Sequence, residues 1–161
     1  MENQFITRLN LDYDKIKLRE EFRRLDFKTF FTSPNIKDTW LRATLKDATD
    51  YPIIDSLHKK FKGSNIIAFT LRPNAYVHMH TDPKTRCAVN IMLSDDYGPA
   101  IFEEFGEVNY ECALFNNSRM HMVPAYPKER LLLMFAYLEN SYEEIRDQLK
   151  LFSLDRTTSL S

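Results

Sequence analysis

The feature that most constrains the fold of this chain is a series of short apolar runs between residues 64 and 138. Each run has the length and composition of a β-strand, and turn-forming residues such as Pro, Asn and Asp separate it from the next. The runs are IIAFTL (66–71), AYVHMH (75–80), CAVNIML (87–93), YECALF (110–115), MHMV (120–123) and RLLLMFAY (130–137). A series of this kind predicts a β-sandwich or barrel rather than a parallel sheet with crossover helices.

Helical patterns precede this series. A first helix is predicted over about 12–26, because apolar residues recur there at helical spacing. These residues are Leu11, Leu18, Phe22 and Leu25. Pro52 opens a second predicted helix, and Gly63 is placed to end it. Between the two helices, the segment TWLRATL (39–45) is predicted as a strand.

A further helix is predicted after the last strand. Ser141 and Glu144 form a capping box, which is typical of a helix start, and the helix is expected over about 141–153. We therefore expect one domain over 1–161, mainly β with flanking helices (α+β). In this division, residues 1–63 form a helical support and residues 64–138 form the core.

Charge and cysteine content narrow the class of protein. Lys and Arg total 22 against 23 Asp and Glu, so the basic excess of a nucleic-acid-binding protein is absent and nucleic acid is not expected as a partner. No apolar run reaches the ~18 residues that a membrane-spanning helix needs. Cys87 and Cys112 both lie in apolar runs, so we expect two buried, reduced thiols and a cytoplasmic location.

Three of the four histidines lie in the predicted strand region. His80, Thr81 and Asp82 form an H-x-D pattern, and His121 follows 41 residues after His80. Two imidazoles and one carboxylate on one face of an octahedron are the protein ligands of non-heme Fe(II) in oxygenases. The same residues also fit a strand-end histidine that hydrogen-bonds a neighbouring Asp, so this pattern alone leaves metal binding open.

Polar residues interrupt the most apolar strands. Arg130 opens the run 130–137, where alternation puts even-numbered residues on one face and odd-numbered residues on the other. An Arg on an inward face needs a carboxylate partner, from the protein or from a ligand. Asn90 lies among apolar neighbours and needs a partner in the core, and Arg86 shares its parity. We expect Arg86 and Asn90 to form a second polar edge of the same cavity.

Two segments resemble a known family. HTDPKTRCAVNIML (80–93) resembles the first metal-ligand strand pair of the 2-oxoglutarate/Fe(II)-dependent oxygenases, nearest the aspartyl/asparaginyl β-hydroxylase and proline hydroxylase branch. LFNNSRMHMV (114–123), followed by Arg130, resembles the segment of that branch that carries the distal His and the 2-oxoglutarate-binding Arg. The resemblance spans about 75–138 and implies a double-stranded β-helix (jelly-roll) core.

The resemblance also implies site residues. The implied Fe(II) ligands are His80, Asp82 and His121. The residues implied to bind or support 2-oxoglutarate are Arg130, Asn90 and Arg86, with Arg130 holding the C5 carboxylate. One departure stands out, because Leu132 replaces the Ser of the family's Arg-x-Ser pair and removes one hydrogen bond to that carboxylate.

The reaction that the resemblance implies is the hydroxylation of an amino acid, or of a peptide or protein side chain. Such a reaction uses Fe(II), 2-oxoglutarate and O2 and releases succinate and CO2. The acidic run 102–107 is expected to be a solvated loop, and it is also a candidate for selecting a cationic substrate.

Two alternatives from other classes stay open. The first is a cupin-type metal protein with three His ligands, in which His78 and His80 form an H-x-H pair; Lys84 stands near where cupins carry a Glu. The second is a non-catalytic jelly-roll binding module, because one fold hosts many functions.

Overall fold

Two antiparallel β-sheets form the body of the protein. The computed structural model describes residues 2–33 and 36–154. The larger sheet has seven strands in the order β1 (Ile6–Arg8), β9 (Cys112–Phe115), β6 (Cys87–Met92), β11 (Arg130–Tyr137), β4 (Asn65–Leu71), β3 (Ile36–Leu45) and β2 (Lys28–Ser33). The smaller sheet has four, in the order β5 (Val77–His80), β10 (His121–Val123), β7 (Ala100–Phe102) and β8 (Gly106–Val108). The predicted mainly-β class is confirmed.

Helices cover the outer face of the larger sheet. They are α1 (Lys15–Arg23), α2 (Pro52–Lys60) and α3 (Tyr142–Gln148). Asp14 caps α1 and Ser141 caps α3, each by accepting a hydrogen bond from a backbone N–H of the first turn. The start of α2 is held by Glu21 of α1, whose buried carboxylate accepts the backbone N–H groups of Ile53 and Ile54.

The hydrophobic core lies between these helices and the sheet. On β11, the odd-numbered residues Leu131, Leu133 and Phe135 are buried against the helices, as the alternation predicted. Their partners on the helices include Phe22 and Leu57. Each fully buried side chain of this size contributes about 1.5–3 kcal/mol, so this layer stabilises the whole domain.

Two regions differ from the sequence prediction. Residues 1–63 supply strands β1, β2 and β3 as well as two helices, so the larger sheet extends into the expected helical support. The predicted strand 39–45 is the second part of β3. The acidic run 102–107 is not only a solvated loop. Phe102, at the end of β7, is fully buried, and the run contains the turn that connects β7 to β8 in a hairpin.

Cys87 and Cys112 are buried and free, as expected. Within residues 2–33 and 36–154, no helix has both the length and the apolar character to cross a membrane.

The smaller sheet covers only part of the inner face of the larger one. Phe102 of β7 packs against Phe115 of β9, with 4.6 Å between the ring centroids. The β11, β4 and β3 part of the face instead lines a cavity of about 790 Å³, through alternate residues such as Leu132, Ile67 and Phe69. The fold therefore leaves a deep opening beside the smaller sheet.

Candidate active site

The pairing of β5 with β10 brings two histidines to the wall of this cavity, and a β-bulge follows within the pair. His80 of β5 is paired with His121 of β10, and two residues later on β10 Val123 is paired with Val77, three residues before His80. Because β5 has one extra residue in this interval, Val77 and His80 both face the cavity. The ring centroids of His80 and His121 are 4.5 Å apart.

Asp82 lies between the two imidazoles. Its Oδ1 atom is 3.2 Å from Nε2 of His80, and its Oδ2 atom is 3.5 Å from Nε2 of His121. One ligand atom from each of the three residues lies within 4.8 Å of the others. The structure thus brings together the three residues that the sequence singled out as metal ligands.

Backbone carbonyl groups fix the orientation of both rings. Nδ1 of His80 is 2.7 Å from the carbonyl oxygen of His78, and Nδ1 of His121 is 2.7 Å from that of Arg119. A carbonyl can only accept, so each Nδ1 carries a proton and each Nε2 is directed towards Asp82. A metal ion would bind these Nε2 atoms in place of the protons that they share with Asp82 in the metal-free site.

Asn117 positions the carboxylate. Its side-chain Nδ2 group donates to Oδ2 of Asp82 at 2.5 Å. Its backbone carbonyl oxygen accepts a hydrogen bond from the backbone N–H of Asp82 at 3.2 Å. Burial opposes ionisation of Asp82, but hydrogen bonds from His121, His80 and Asn117 outweigh it and hold its pKa well below the usual value. The hydrogen bond to Asp82 is also the main reason why the pKa of His80 is raised. Asp82 is therefore an anion.

Arg130 is a buried cation in the same cavity. It is 7% exposed, and its guanidinium donates to the carbonyl oxygens of Gly98 and Pro99. Among the described residues, no carboxylate lies within ion-pairing distance of it. Burial lowers the pKa of Arg130, because desolvation disfavours its charged form. An anionic ligand would supply the missing partner.

Asn90 and Tyr110 form a second polar contact in the cavity. Nδ2 of Asn90 donates to the hydroxyl oxygen of Tyr110 at 3.1 Å, which is the core partner that the sequence required. Tyr110 is 8% exposed, and burial raises its pKa, so it keeps its proton at neutral pH. The Tyr110 hydroxyl remains able to donate to a ligand beside Arg130, with which it interacts electrostatically.

Arg86 does not lie at the cavity, contrary to the expectation from its parity with Asn90. It precedes β6, its side chain is exposed, and its guanidinium donates to the carbonyl oxygen of Glu139 at 2.8 Å. Side chains alternate between the two faces only within a strand, and Arg86 lies before the first residue of β6. The prediction that Arg86 shares a face with Asn90 was therefore wrong.

His78 is also outside the metal-ligand group. Its side chain is exposed, and its ring centroid is 6.1 Å from that of His80. Regular alternation would put His78 and His80 on the same face of β5. The bulge interrupts this alternation, so that His80 faces the cavity and His78 does not. The residues described here therefore offer no support for a three-His site that includes His78.

Two residues of the site, Asn117 and Tyr110, were not identified from the sequence. Both are buried polar groups that lie just outside β9 (Cys112–Phe115), with polar neighbours on both sides in the sequence. The signal that singled out Asn90, a polar residue among apolar strand residues, is therefore absent at both positions.

A comparison of the sequence with protein-family models found no match, and a comparison with curated proteins also found none. Solved structures do match. A viral collagen prolyl hydroxylase from Paramecium bursaria Chlorella virus-1, solved with 2-oxoglutarate, has a TM-score of 0.60 and 10% identity over 82% of this chain and 94% of its own.

Two further structures have the same architecture. A prolyl hydroxylase from Trichoplax adhaerens, in complex with a peptide fragment of a hypoxia inducible factor, has a TM-score of 0.60 and 12% identity over 87% of this chain and 85% of its own. A cupin-2 domain from Rhodospirillum rubrum has a TM-score of 0.50 and 10% identity over 83% and 78% of the two chains. At such identities the likeness concerns the fold. The chain has the double-stranded β-helix (jelly-roll) fold found in 2-oxoglutarate/Fe(II) oxygenases and cupins.

Proposed function

We propose that this protein is an Fe(II)- and 2-oxoglutarate-dependent oxygenase that hydroxylates an amino acid or a peptide side chain. One observation carries the proposal. A group of two His and one carboxylate shares a cavity with Arg130, a buried cation without a carboxylate partner among the described residues. A cupin-type metal site does not require that Arg, and a co-substrate with two carboxylates does.

The donor set suits Fe(II). His80, Asp82 and His121 would hold the ion through two imidazole nitrogens and a carboxylate oxygen, and this set leaves positions open for other ligands. The separations of 3.2 and 3.5 Å between their ligand atoms are close to the ~3 Å expected for neighbouring ligands with metal bonds of about 2.1 Å. When bound, iron with 2-oxoglutarate and O2 supplies the oxidising chemistry.

The protein's own residues would bind and orient the co-substrate. Arg130 would pair with the C5 carboxylate of 2-oxoglutarate, and the two carbonyl groups that it contacts keep its guanidinium in place. We further propose that the Tyr110 hydroxyl donates the hydrogen bond that Leu132 cannot donate. Asn90 supports this role, because it donates to the Tyr110 oxygen and leaves the hydroxyl proton for the ligand.

The structural neighbours support the proposal at the level of class. One was solved with 2-oxoglutarate and another with a peptide. We also propose that the protein is located in the cytoplasm. Both thiols of the described chain are free, and Fe(II) is maintained under reducing conditions.

The proposal is tested by anaerobic titration of the protein with Fe(II) and 2-oxoglutarate. We expect a weak visible charge-transfer band in the native protein and none in Asp82→Asn or Arg130→Ala. Admission of O2 should then release succinate and CO2. A band that persists in both variants, or no succinate from the native protein, would leave a metal-binding or non-catalytic jelly-roll module as the better interpretation.

A further inference from the structure

The cavity has a strongly one-sided charge. Apart from Arg130 and the proposed metal ligands, the charged side chains among its described lining residues are Arg42, Lys46 and Lys84, and none is a carboxylate. Lys46 and Lys84 are exposed at the opening, and Arg42 is half-buried on the wall. A cleft lined by charges of one sign attracts ligands of the opposite sign.

The floor of this opening is apolar. The strand register places Arg42 next to Phe69, and Phe69 next to Leu132 of β11. Ile67 and Met134, one step further along the same strands, are paired in the same way and are less than a tenth exposed. A ligand that fills the opening therefore meets an apolar surface with cations at its margin.

Aromatic side chains line the wall of the cavity next to Arg42. The rings of Trp40 and Phe69 are perpendicular at 6.0 Å between centroids, and the guanidinium carbon of Arg42 lies 5.9 Å from the centre of the Phe69 ring. Lys84 also lines the cavity, and it comes two residues after Asp82 in the loop that leaves β5. The loop that carries a proposed metal ligand thus also carries a cation.

The acidic run 102–107 does not alter this charge. Its glutamates do not line the cavity, and Glu104 pairs instead with Arg119 at 3.2 Å. Among the lining residues that the structure describes, a cationic substrate would therefore meet no carboxylate other than Asp82, which the metal would occupy. A free ammonium group is disfavoured for the same reason.

We propose that the substrate is an apolar amino-acid derivative with a free carboxylate and a blocked amino group, such as an N-acyl amino acid. This inference rests on the proposed function, because it concerns the same cavity. The volume of about 790 Å³ is ample for a compact co-substrate and a second small molecule. The apolar part would lie on Ile67, Phe69 and Met134, and the carboxylate would face Lys84 and Arg42.

The test uses three small probes with one side chain and different charges: N-acetyl-leucine, N-acetyl-leucinamide and leucinamide. Binding is measured by ligand-observed NMR on the metal-free protein, so that its outcome does not depend on iron chemistry. We expect the anion to bind most tightly, the neutral probe less tightly and the cation most weakly. Added salt should weaken binding of the anion more than that of the neutral probe.

Matched variants locate the effect. Lys84→Gln and Arg42→Gln should each weaken binding of N-acetyl-leucine about two- to fivefold, the range of an exposed charge pair, and should leave N-acetyl-leucinamide unchanged. Phe69→Ala should weaken all three probes. Lys62→Gln, an exposed lysine outside the cavity, is the control and should change nothing.

The outcomes separate the two proposals. Equal binding of all three probes, or an effect of Lys84→Gln no larger than that of Lys62→Gln, overturns the substrate class even if the protein consumes 2-oxoglutarate. Charge-dependent binding in a protein that never consumes 2-oxoglutarate upholds the ligand class and refutes the oxygenase. Equal binding of the neutral probe and the anion would indicate the interior of a peptide chain and would also overturn the inference.

Discussion

Asn117 holds Asp82 at two points, with its side-chain amide on the carboxylate and its backbone carbonyl on the Asp82 N–H. The backbone contact does not depend on the side chain of residue 117. Substitution can therefore remove the carboxylate contact alone and leave the loop in place.

Asn117→Ala should weaken metal binding about 10- to 100-fold while the protein stays folded, because groups that orient a ligand carboxylate have effects of this size. Mn(II) serves as the probe, with affinity measured by electron paramagnetic resonance and folding by thermal melting. Asn109→Ala, at an exposed Asn outside the cavity, is the control. Equal Mn(II) affinity in the two variants would show that Asp82 needs no support from Asn117.

The three histidines of the strand region should differ in their contribution to metal binding. His80→Ala and His121→Ala are expected to lose most of the Mn(II) affinity, because each removes a proposed ligand nitrogen. His78→Ala should keep it, since the bulge leaves the His78 side chain exposed. The carbonyl of His78, which orients His80, is unaffected by the substitution. A requirement for His78 would favour the three-His cupin site.

Two arginines that the sequence placed at one cavity provide a matched pair. Arg130→Ala should weaken 2-oxoglutarate binding by ~2–5 kcal/mol, the cost of removing one partner of a buried charge pair, while Mn(II) binding persists. Arg86→Ala should have no effect on either ligand, because that guanidinium binds the Glu139 carbonyl at the surface. Calorimetric titration of the Mn(II) protein measures both. Unchanged 2-oxoglutarate affinity in Arg130→Ala would remove this residue from the site.

Tyr110→Phe tests whether the tyrosine compensates for Leu132. Loss of one neutral hydrogen bond predicts a dissociation constant for 2-oxoglutarate about 2- to 10-fold higher, with Mn(II) binding unchanged. Tyr76→Phe removes a hydroxyl from a tyrosine that is 44% exposed and serves as the control. If both variants bind 2-oxoglutarate like the native protein, the hydrogen bond has another source.

The helix-facing side of β11 should dominate stability. Leu133 is fully buried, so Leu133→Ala should lower the free energy of unfolding by about 2–5 kcal/mol. Leu151→Ala, at a side chain that is 80% exposed, should change it by less than about 0.5 kcal/mol. Urea denaturation monitored by circular dichroism gives both values. Similar losses in the two variants would contradict the packing described for β11.

The sequence predicted those parts of the fold in which a pattern repeats often enough to be read. Strand β11 has eight residues and shows its alternation plainly, and the faces predicted for it are those found. Strands β1, β7 and β8 have three residues each, too few to show any period. Strands β1 and β7 form because β9 and β10 offer hydrogen-bonding edges, which lie elsewhere along the chain, and β8 pairs with β7 in a hairpin.

In the candidate site, too, features with a local sequence pattern were predicted and features that depend on strand pairing were not. Residue types in the strand region, and then a resemblance to a family pattern, singled out His80, Asp82, His121 and Arg130, and the structure brings these four residues to one cavity. The misplacement of Arg86 came from extending a strand one residue too far, since β6 begins at Cys87. The orientation of His78 could not be predicted, because a bulge depends on the pairing of two strands and leaves no local signal in either.

The extra residue in β5 makes the length of this strand less critical than the pairing at its end. Val77 and His80 are separated by two residues, whereas their partners Val123 and His121 are separated by one. Deleting one of the two would give regular pairing with β10, and residues two apart on a regular strand share a face. His80 would therefore stay beside His121 in the shortened strand, because the direct pairing of these two residues holds the imidazoles together.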